Sequence, residues 1–157
     1  MINSGMMTSN TDNWETPQHI FEEYKHIFNG KYISLDVCAD IYNSKCKKFF
    51  SKEQDGLKQN WDGYVCWMNP PYGSQIGKWI QKASEAKATV VCLLPARTDT
   101  KWFHNYIYNK NDVKLVFLKG RLKFGGSKNS APFPSMIVIF NNMYKCDEEN
   151  EKLLVVN

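Results

Sequence analysis

Asn69-Pro70-Pro71-Tyr72 is the stretch of this chain whose residue types and order could do chemistry. The Asn side-chain oxygen and the backbone carbonyl of Pro70 are both acceptors, and together they can take the two N–H bonds of an amino group. Such a grip suits methyl transfer to an exocyclic amino group, whose lone pair is delocalised into its ring and must be drawn out of plane to react. Pro70 and Pro71 have fixed φ and no N–H, so the loop is stiff and its carbonyls are oriented in advance. Tyr72 offers a flat face for stacking an extruded base. The same four residues also make an ordinary stiff turn between a strand and a helix, because Asn before Pro is a common turn signal.

Other polar residues are less distinctive taken alone. Asp36 ends an apolar run and Asp40 follows it, the pattern of a strand-end acid and a helix N-cap. Asp55 before Gly56 is a turn pair. The three histidines have no spacing that suggests a triad or a metal site. Cys38, Cys46, Cys66, Cys92 and Cys146 include no C-x-x-C pair, so no metal is expected and the thiols fit a reducing, cytoplasmic setting.

The elements that must position these residues follow from hydrophobic period and breakers. After a polar leader, residues 1–13, Thr16 reads as an N-cap and Pro17 as the first helical residue, with Ile20, Phe21, Tyr24, Ile27 and Phe28 at helical spacing up to Asn29-Gly30. Tyr32 to Val37 reads as a strand, Cys38-Ala39-Asp40 as its turn, and a short helix is expected through Cys46. Tyr64 to Met68 is a continuous apolar run, as in a strand covered on both faces, and it stops where proline cannot extend a ladder. Ile76, Trp79, Ile80 and Ala83 form a helical stripe, Thr89 to Leu94 a second buried strand, Trp102, Phe103, Tyr106 and Ile107 a further helix, and Val113 to Leu118 a third buried strand.

Strand alternating with helix predicts an α/β fold with a mostly parallel sheet and helices on both faces. Arg121 to Phe124 and Ser135 to Phe140 are separated by a Gly/Ser/Pro-rich stretch without a helix, so the sheet is expected to end in an antiparallel hairpin. In such a sheet ligands bind beyond the carboxyl ends of the strands, where the Asn69 loop falls.

With 157 residues, 43% of them hydrophobic, the chain fits one domain over 14–157 with no separate recognition domain. No apolar run reaches the roughly 18 residues that a membrane span needs. A net charge of +4 is a mild bias, compatible with a polyanionic partner.

From about Trp14 to Phe140 the chain resembles the phage-type DNA N6-adenine methyltransferase (Dam) family. The likeness rests on Trp14-x-Thr16-Pro17, Leu35-Asp36-Val37-Cys38-Ala39, Asp55-Gly56-Leu57 with Trp61, Asn69-Pro70-Pro71-Tyr72, Leu94-Pro95-Ala96-Arg97-Thr98, Trp102-Phe103 and Gly120-Arg121-Leu122-Lys123-Phe124, in that order. It implies a Rossmann-like methyltransferase fold, S-adenosylmethionine as donor with S-adenosylhomocysteine as product, and direct transfer to adenine N6 of double-stranded DNA without a metal. Asparagine leading the motif favours adenine over cytosine. By the family's pattern Trp14, Thr16 and Pro17 close over the cofactor, Asp36, Cys38 and Ala39 line its methionine half, and Asp55 accepts from its adenine amino group. No glycine follows Asp36, where a Gly-rich loop is usual, but Cys38 and Ala39 are small enough to stand in.

Given that resemblance, Arg97 and Arg121, the only arginines, with Lys101, Lys123 and Lys128, are the candidates for contacting DNA, and Lys119 lies among them. The polar loop from Gly125 to Pro134 could enter a groove. A short target read by such loops, by a monomer or a homodimer, is expected. The same fold and loop could instead serve cytosine N4, RNA adenine or protein glutamine, or belong to a nucleic-acid-binding relative without turnover.

Overall fold

Two apolar runs with no polar face set the centre of the molecule: Val65–Met68 and Thr89–Pro95 are buried at every residue and pair in parallel, Val65 opposite Thr89. Strands that bury both faces read as unbroken hydrophobic runs, which is why neither alternates. The computed structural model describes residues 13–26 and 30–143. Residues 1–12 of the leader, Ile27, Phe28 and Asn29 of the first expected helix, Cys146 and the acidic segment after it lie outside them.

In chain order the elements are α1 (Gln18–Tyr24), β1 (Leu35–Asp36), β2 (Lys48–Phe49), a 3-10 turn (Gly56–Lys58), β3 (Val65–Met68), α2 (Ile76–Glu85), β4 (Thr89–Pro95), α3 (Lys101–Tyr106), β5 (Val113–Phe117) and β6 (Ser135–Asn141). They make a mixed α/β fold around one six-stranded sheet of order β2-β1-β3-β4-β6-β5. β2, β1, β3 and β4 run parallel, while β6 is antiparallel to both of its neighbours.

The two helices after β3 form where stripe and caps agree. Ile76, Trp79, Ile80 and Ala83 are the buried face of α2. Its last turn leaves carbonyls without helical partners, and the buried Asn142, just past β6, donates its amide to those of Ala83 and Ser84. Thr100 caps α3 by accepting from the Phe103 N–H.

Four expectations change. Thr16 does not cap α1: Pro17 holds that position without a side-chain bond, because the Thr16 hydroxyl is turned into the core. No helix forms before Cys46; the segment folds into turns that lead to β2, a strand of two residues, too short to leave a period in the sequence. The segment Val113–Phe117 is the sheet's edge rather than a buried strand, with Phe117 58% exposed. Arg121 to Phe124 is not a strand either, and the antiparallel partner of β6 in the expected hairpin is β5. A backbone bond from the Ala131 N–H to the Leu122 C=O at 2.7 Å links the two sides of the loop that the hairpin was expected to make.

One glycine is required by close approach. A Cβ on Gly56 would lie 2.1 Å from the Val37 carbonyl and 3.0 Å from the Trp79 ring. The Gly56 carbonyl also accepts from Trp61 Nε1 at 2.9 Å, and Trp61 stacks on Trp79, so this turn locks α2 to the end of β1.

Candidate active site

A cavity of about 910 Å³ opens at the carboxyl ends of the parallel strands. Asp36, Cys38 and Ala39 line it beyond β1, Phe50 to Glu53 beyond β2, and Asn69, Pro70 and Pro71 beyond β3. Trp14 and Thr16 close one side, and Asp55, Gly56 and Trp79 line another. Its size is that of a small-molecule pocket, and its wall mixes aromatic surface with carboxylates.

The Asn69 side chain is held in one orientation. Its amide nitrogen donates to the Trp14 carbonyl and, at 3.0 Å, to Thr16 Oγ1. A carbonyl can only accept, so the nitrogen must face the strap formed by Trp14 to Thr16. Thr16 Oγ1 also accepts from Trp67 Nε1 at 3.2 Å, which ties the strap to β3 itself. The remaining atom, Asn69 Oδ1, is buried and has no hydrogen-bond partner among the described residues. An unpaired buried acceptor costs about 1–3 kcal/mol unless a donor reaches it, and Asn69 is one of the residues that line the cavity.

Asp36 does a different job. It is 3% exposed, its Oδ1 accepts from the Cys38 N–H at 3.3 Å and its Oδ2 from the Lys45 N–H at 3.0 Å. Burial pushes its carboxyl up to about 6, against the opposing pull of those two bonds. Through those two bonds it shapes the loop that carries Cys38 and Ala39 along the cavity. Burial, reinforced by the Asp36 charge, raises the Cys38 and Cys46 thiols to about 12, so both stay protonated.

Asp55 adopts a left-handed backbone, φ 53°, with Oδ1 accepting from the Leu57 N–H at 3.2 Å and an ion pair to Lys58 at 3.6 Å. Pro17 is the one expected cofactor contact that does not line this cavity; it lies on an adjoining groove across the strap. The wall beyond β2, Phe50 to Glu53, and the far wall at Trp79 were missed by sequence reasoning. Only the two-residue β2 and the remote fold of α2 bring them here.

Tyr72 requires a correction. Its ring is 4% exposed, its hydroxyl donates to the Leu93 carbonyl at 3.0 Å, and it does not line the cavity. Phe124 and Phe133 pack on it edge to face, at 6.3 and 5.6 Å, and Trp14 packs on both of them. No face of the ring is open for a base, because the chain after β5 returns two phenylalanines over it. Burial holds the Tyr72 hydroxyl well above the usual phenol range.

The expected cations are all exposed. Arg97 is tied to the Asn69–Tyr72 loop, donating from Nη1 to the Tyr72 carbonyl at 3.3 Å with its guanidinium 6.0 Å over the Phe133 ring. Arg121 reaches the Ala131 carbonyl at 3.5 Å. Lys123 lines the groove across the strap, Lys101 opens α3, and Lys128 sits in the loop between Gly125 and Pro134. Among the described residues no group of His, Cys, Asp and Glu could hold a metal ion, and no helix is long and apolar enough to cross a membrane.

Residues 3–157 match the family model described as DNA N-6-adenine-methyltransferase (Dam). The chain is similar to a protein of Haemophilus phage HP1 named DNA N-6-adenine-methyltransferase, 33% identical over 148 residues, which cover 89% of this chain and 84% of that one. A protein of Escherichia phage T1 with the same name is 36% identical over 115 residues, 71% of this chain and 46% of its own. No solved structure matches.

Proposed function

The chain belongs to the DNA N-6-adenine-methyltransferase (Dam) family, and from that premise we propose that it methylates the N6 amino group of adenine in double-stranded DNA at Asn69. S-adenosylmethionine, which residues of the cavity wall would hold, would supply the electrophilic methyl group, with S-adenosylhomocysteine as the product. A mostly parallel sheet with its cavity at the carboxyl ends of the strands fits the Rossmann-like fold that binds such ligands.

The observation that carries this reading is the unpaired, buried Oδ1 of Asn69. One amino N–H of the adenine donates to it and the other to the Pro70 carbonyl, which biases the nitrogen lone pair out of the ring plane. The strap fixes the amide so that no reorientation is needed when the base arrives. Asn69 is not a base and keeps its protons; the methylated nitrogen, acidic while cationic, loses its extra proton to solvent water.

The residues present fit the cofactor by their chemistry. Asp36, Glu53 and Asp55 give the cavity carboxylates for an ammonium group and for hydroxyls, and Phe50 and Trp79 give apolar surface for a purine. Cys38 and Ala39 let backbone come close beyond β1. Arg97, Lys101, Arg121, Lys123 and Lys128 supply exposed positive charge for phosphates.

Incubation with methyl-labelled S-adenosylmethionine and unmethylated DNA, followed by nucleoside analysis, tests the reading. Label is expected in N6-methyldeoxyadenosine. Label only in N4-methyldeoxycytidine, or none in DNA, would overturn it.

A further inference from the structure

Ile41 and Tyr42 are 77% and 95% exposed and adjacent, at the tip of the loop between β1 and β2. Single exposed apolar side chains are ordinary, but two together on a rigid support are not. The support is rigid: Asp40 Oδ1 accepts the N–H groups of Tyr42 and Asn43, while Asn43 Oδ1 accepts that of Asp40 and Asn43 Nδ2 donates back to Asp40 Oδ2. The base of the loop hangs from Asp36 through the Lys45 N–H. A loop needed only to turn the chain from β1 to β2 has no use for a pinned apolar tip.

Tyr42 stands on the wall of a second groove, about 520 Å³, on the other side of the Glu15-Thr16 strap from the cofactor cavity. Lys45 and Lys123 line the same groove, with His19, and among the described residues Glu15 is its one carboxylate. Lys45 Nζ is held by Gln18 Oε1 at 2.9 Å, which fixes its charge on the wall. Gly125 and Gly126, both at positive φ, form the far rim, and the Gly125 N–H is anchored on the Glu15 carbonyl at 3.1 Å. A ring displayed beside two lysines, one strap away from the residue that grips the reacting amino group, is matched to a partner that offers both base faces and phosphates.

We propose that this groove is a DNA-binding subsite, in which Tyr42 packs its ring against a base flanking the extruded adenine while Lys45 and Lys123 meet the phosphates. The inference rests on the DNA methyltransferase reading. It also replaces the stacking contribution that the buried Tyr72 does not offer.

The test compares the full chain with Tyr42→Ala and Tyr42→Phe, measuring methyl transfer against concentration of unmethylated genomic DNA and, separately, S-adenosylmethionine binding by calorimetry. Tyr42→Ala is expected to raise the DNA concentration for half-saturation by roughly tenfold, the scale of one lost base–aromatic contact. Cofactor affinity should stay unchanged, and Tyr42→Phe should behave as the parent. Parent-like DNA saturation in Tyr42→Ala would overturn the inference and leave the activity standing. Weakened cofactor binding in Tyr42→Ala would overturn it in favour of a cap over the cofactor cavity. Absence of DNA methylation by the parent chain would overturn the underlying reading, and this subsite with it.

Discussion

Thr16 and Asn69, 53 positions apart in sequence, are joined side chain to side chain at 3.0 Å, and the same Thr16 oxygen accepts from Trp67. The Asn69 amide is therefore oriented by a residue outside its own Asn69-Pro70-Pro71-Tyr72 loop.

Thr16→Val keeps the shape of the side chain and removes its oxygen, leaving the Trp67 indole N–H and one Asn69 N–H without their acceptor. We expect a loss of about 1–3 kcal/mol in urea unfolding, the cost of stranded buried donors. The turnover number should fall while the Michaelis constant for S-adenosylmethionine barely moves, since Thr16 acts on Asn69. Equal losses in both constants would mean that Thr16 serves the cofactor instead.

Asn69→Ala should lower turnover by about 100-fold or more, as removal of a preorganised transition-state partner does, with cofactor binding retained in calorimetry. Asn69→Asp is the sharper variant. It preserves size and offers an acceptor, yet it sets a carboxylate against the Trp14 carbonyl and deletes the donor that the strap requires. It should be less stable than the parent and nearly inactive, and parent-like activity would refute the orientation described above.

Tyr72→Phe removes only the hydroxyl bonded to the Leu93 carbonyl. A stability loss of about 1 kcal/mol with methylation retained is expected. Tyr72→Ala, by emptying a packed site under Phe124 and Phe133, should cost about 3–5 kcal/mol. Stability like the parent's in Tyr72→Ala, with base-flipping fluorescence lost, would restore the stacking role.

Asp36 should leave a mark on the pH dependence of stability. Its folded carboxyl lies near 6 against an ordinary 3.8, so the folded protein binds the extra proton between those values. Its contribution is fully present below about pH 4 and is lost as pH rises through 6, with no further change above. The sign is opposite to that of Glu22 and Glu53, whose carboxyls are lowered by their hydrogen bonds. Comparing Asp36→Asn with the parent isolates the effect: the variant should gain relative stability from pH 4 to pH 7, by up to roughly 3 kcal/mol at 1.36 kcal/mol per pH unit. A difference independent of pH would remove Asp36 from this role.

The features legible in the sequence were those set by neighbours along the chain. β3 and β4 announced themselves as unbroken apolar runs, α2 and α3 as stripes, and the Asn69 loop as the place where two prolines stop a buried strand. Hydrophobic period and the missing proline N–H are local properties, so residue order suffices to read them. Four features depended on which distant segments meet. β6 lies between β4 and β5, the two-residue β2 finds a place beside β1, and Phe124 and Phe133 close over Tyr72. Thr16 turns from a helix cap into the acceptor for Asn69 and Trp67. A hydroxyl oxygen accepts equally well from the nearest backbone N–H or from a donor 53 positions away, and a tyrosine ring packs on whatever arrives. The sequence by itself thus determined which residues stand at the strand end and what chemistry they could do; the packing of remote segments decided which atom of Asn69 is left unpaired and which aromatic rings remain exposed.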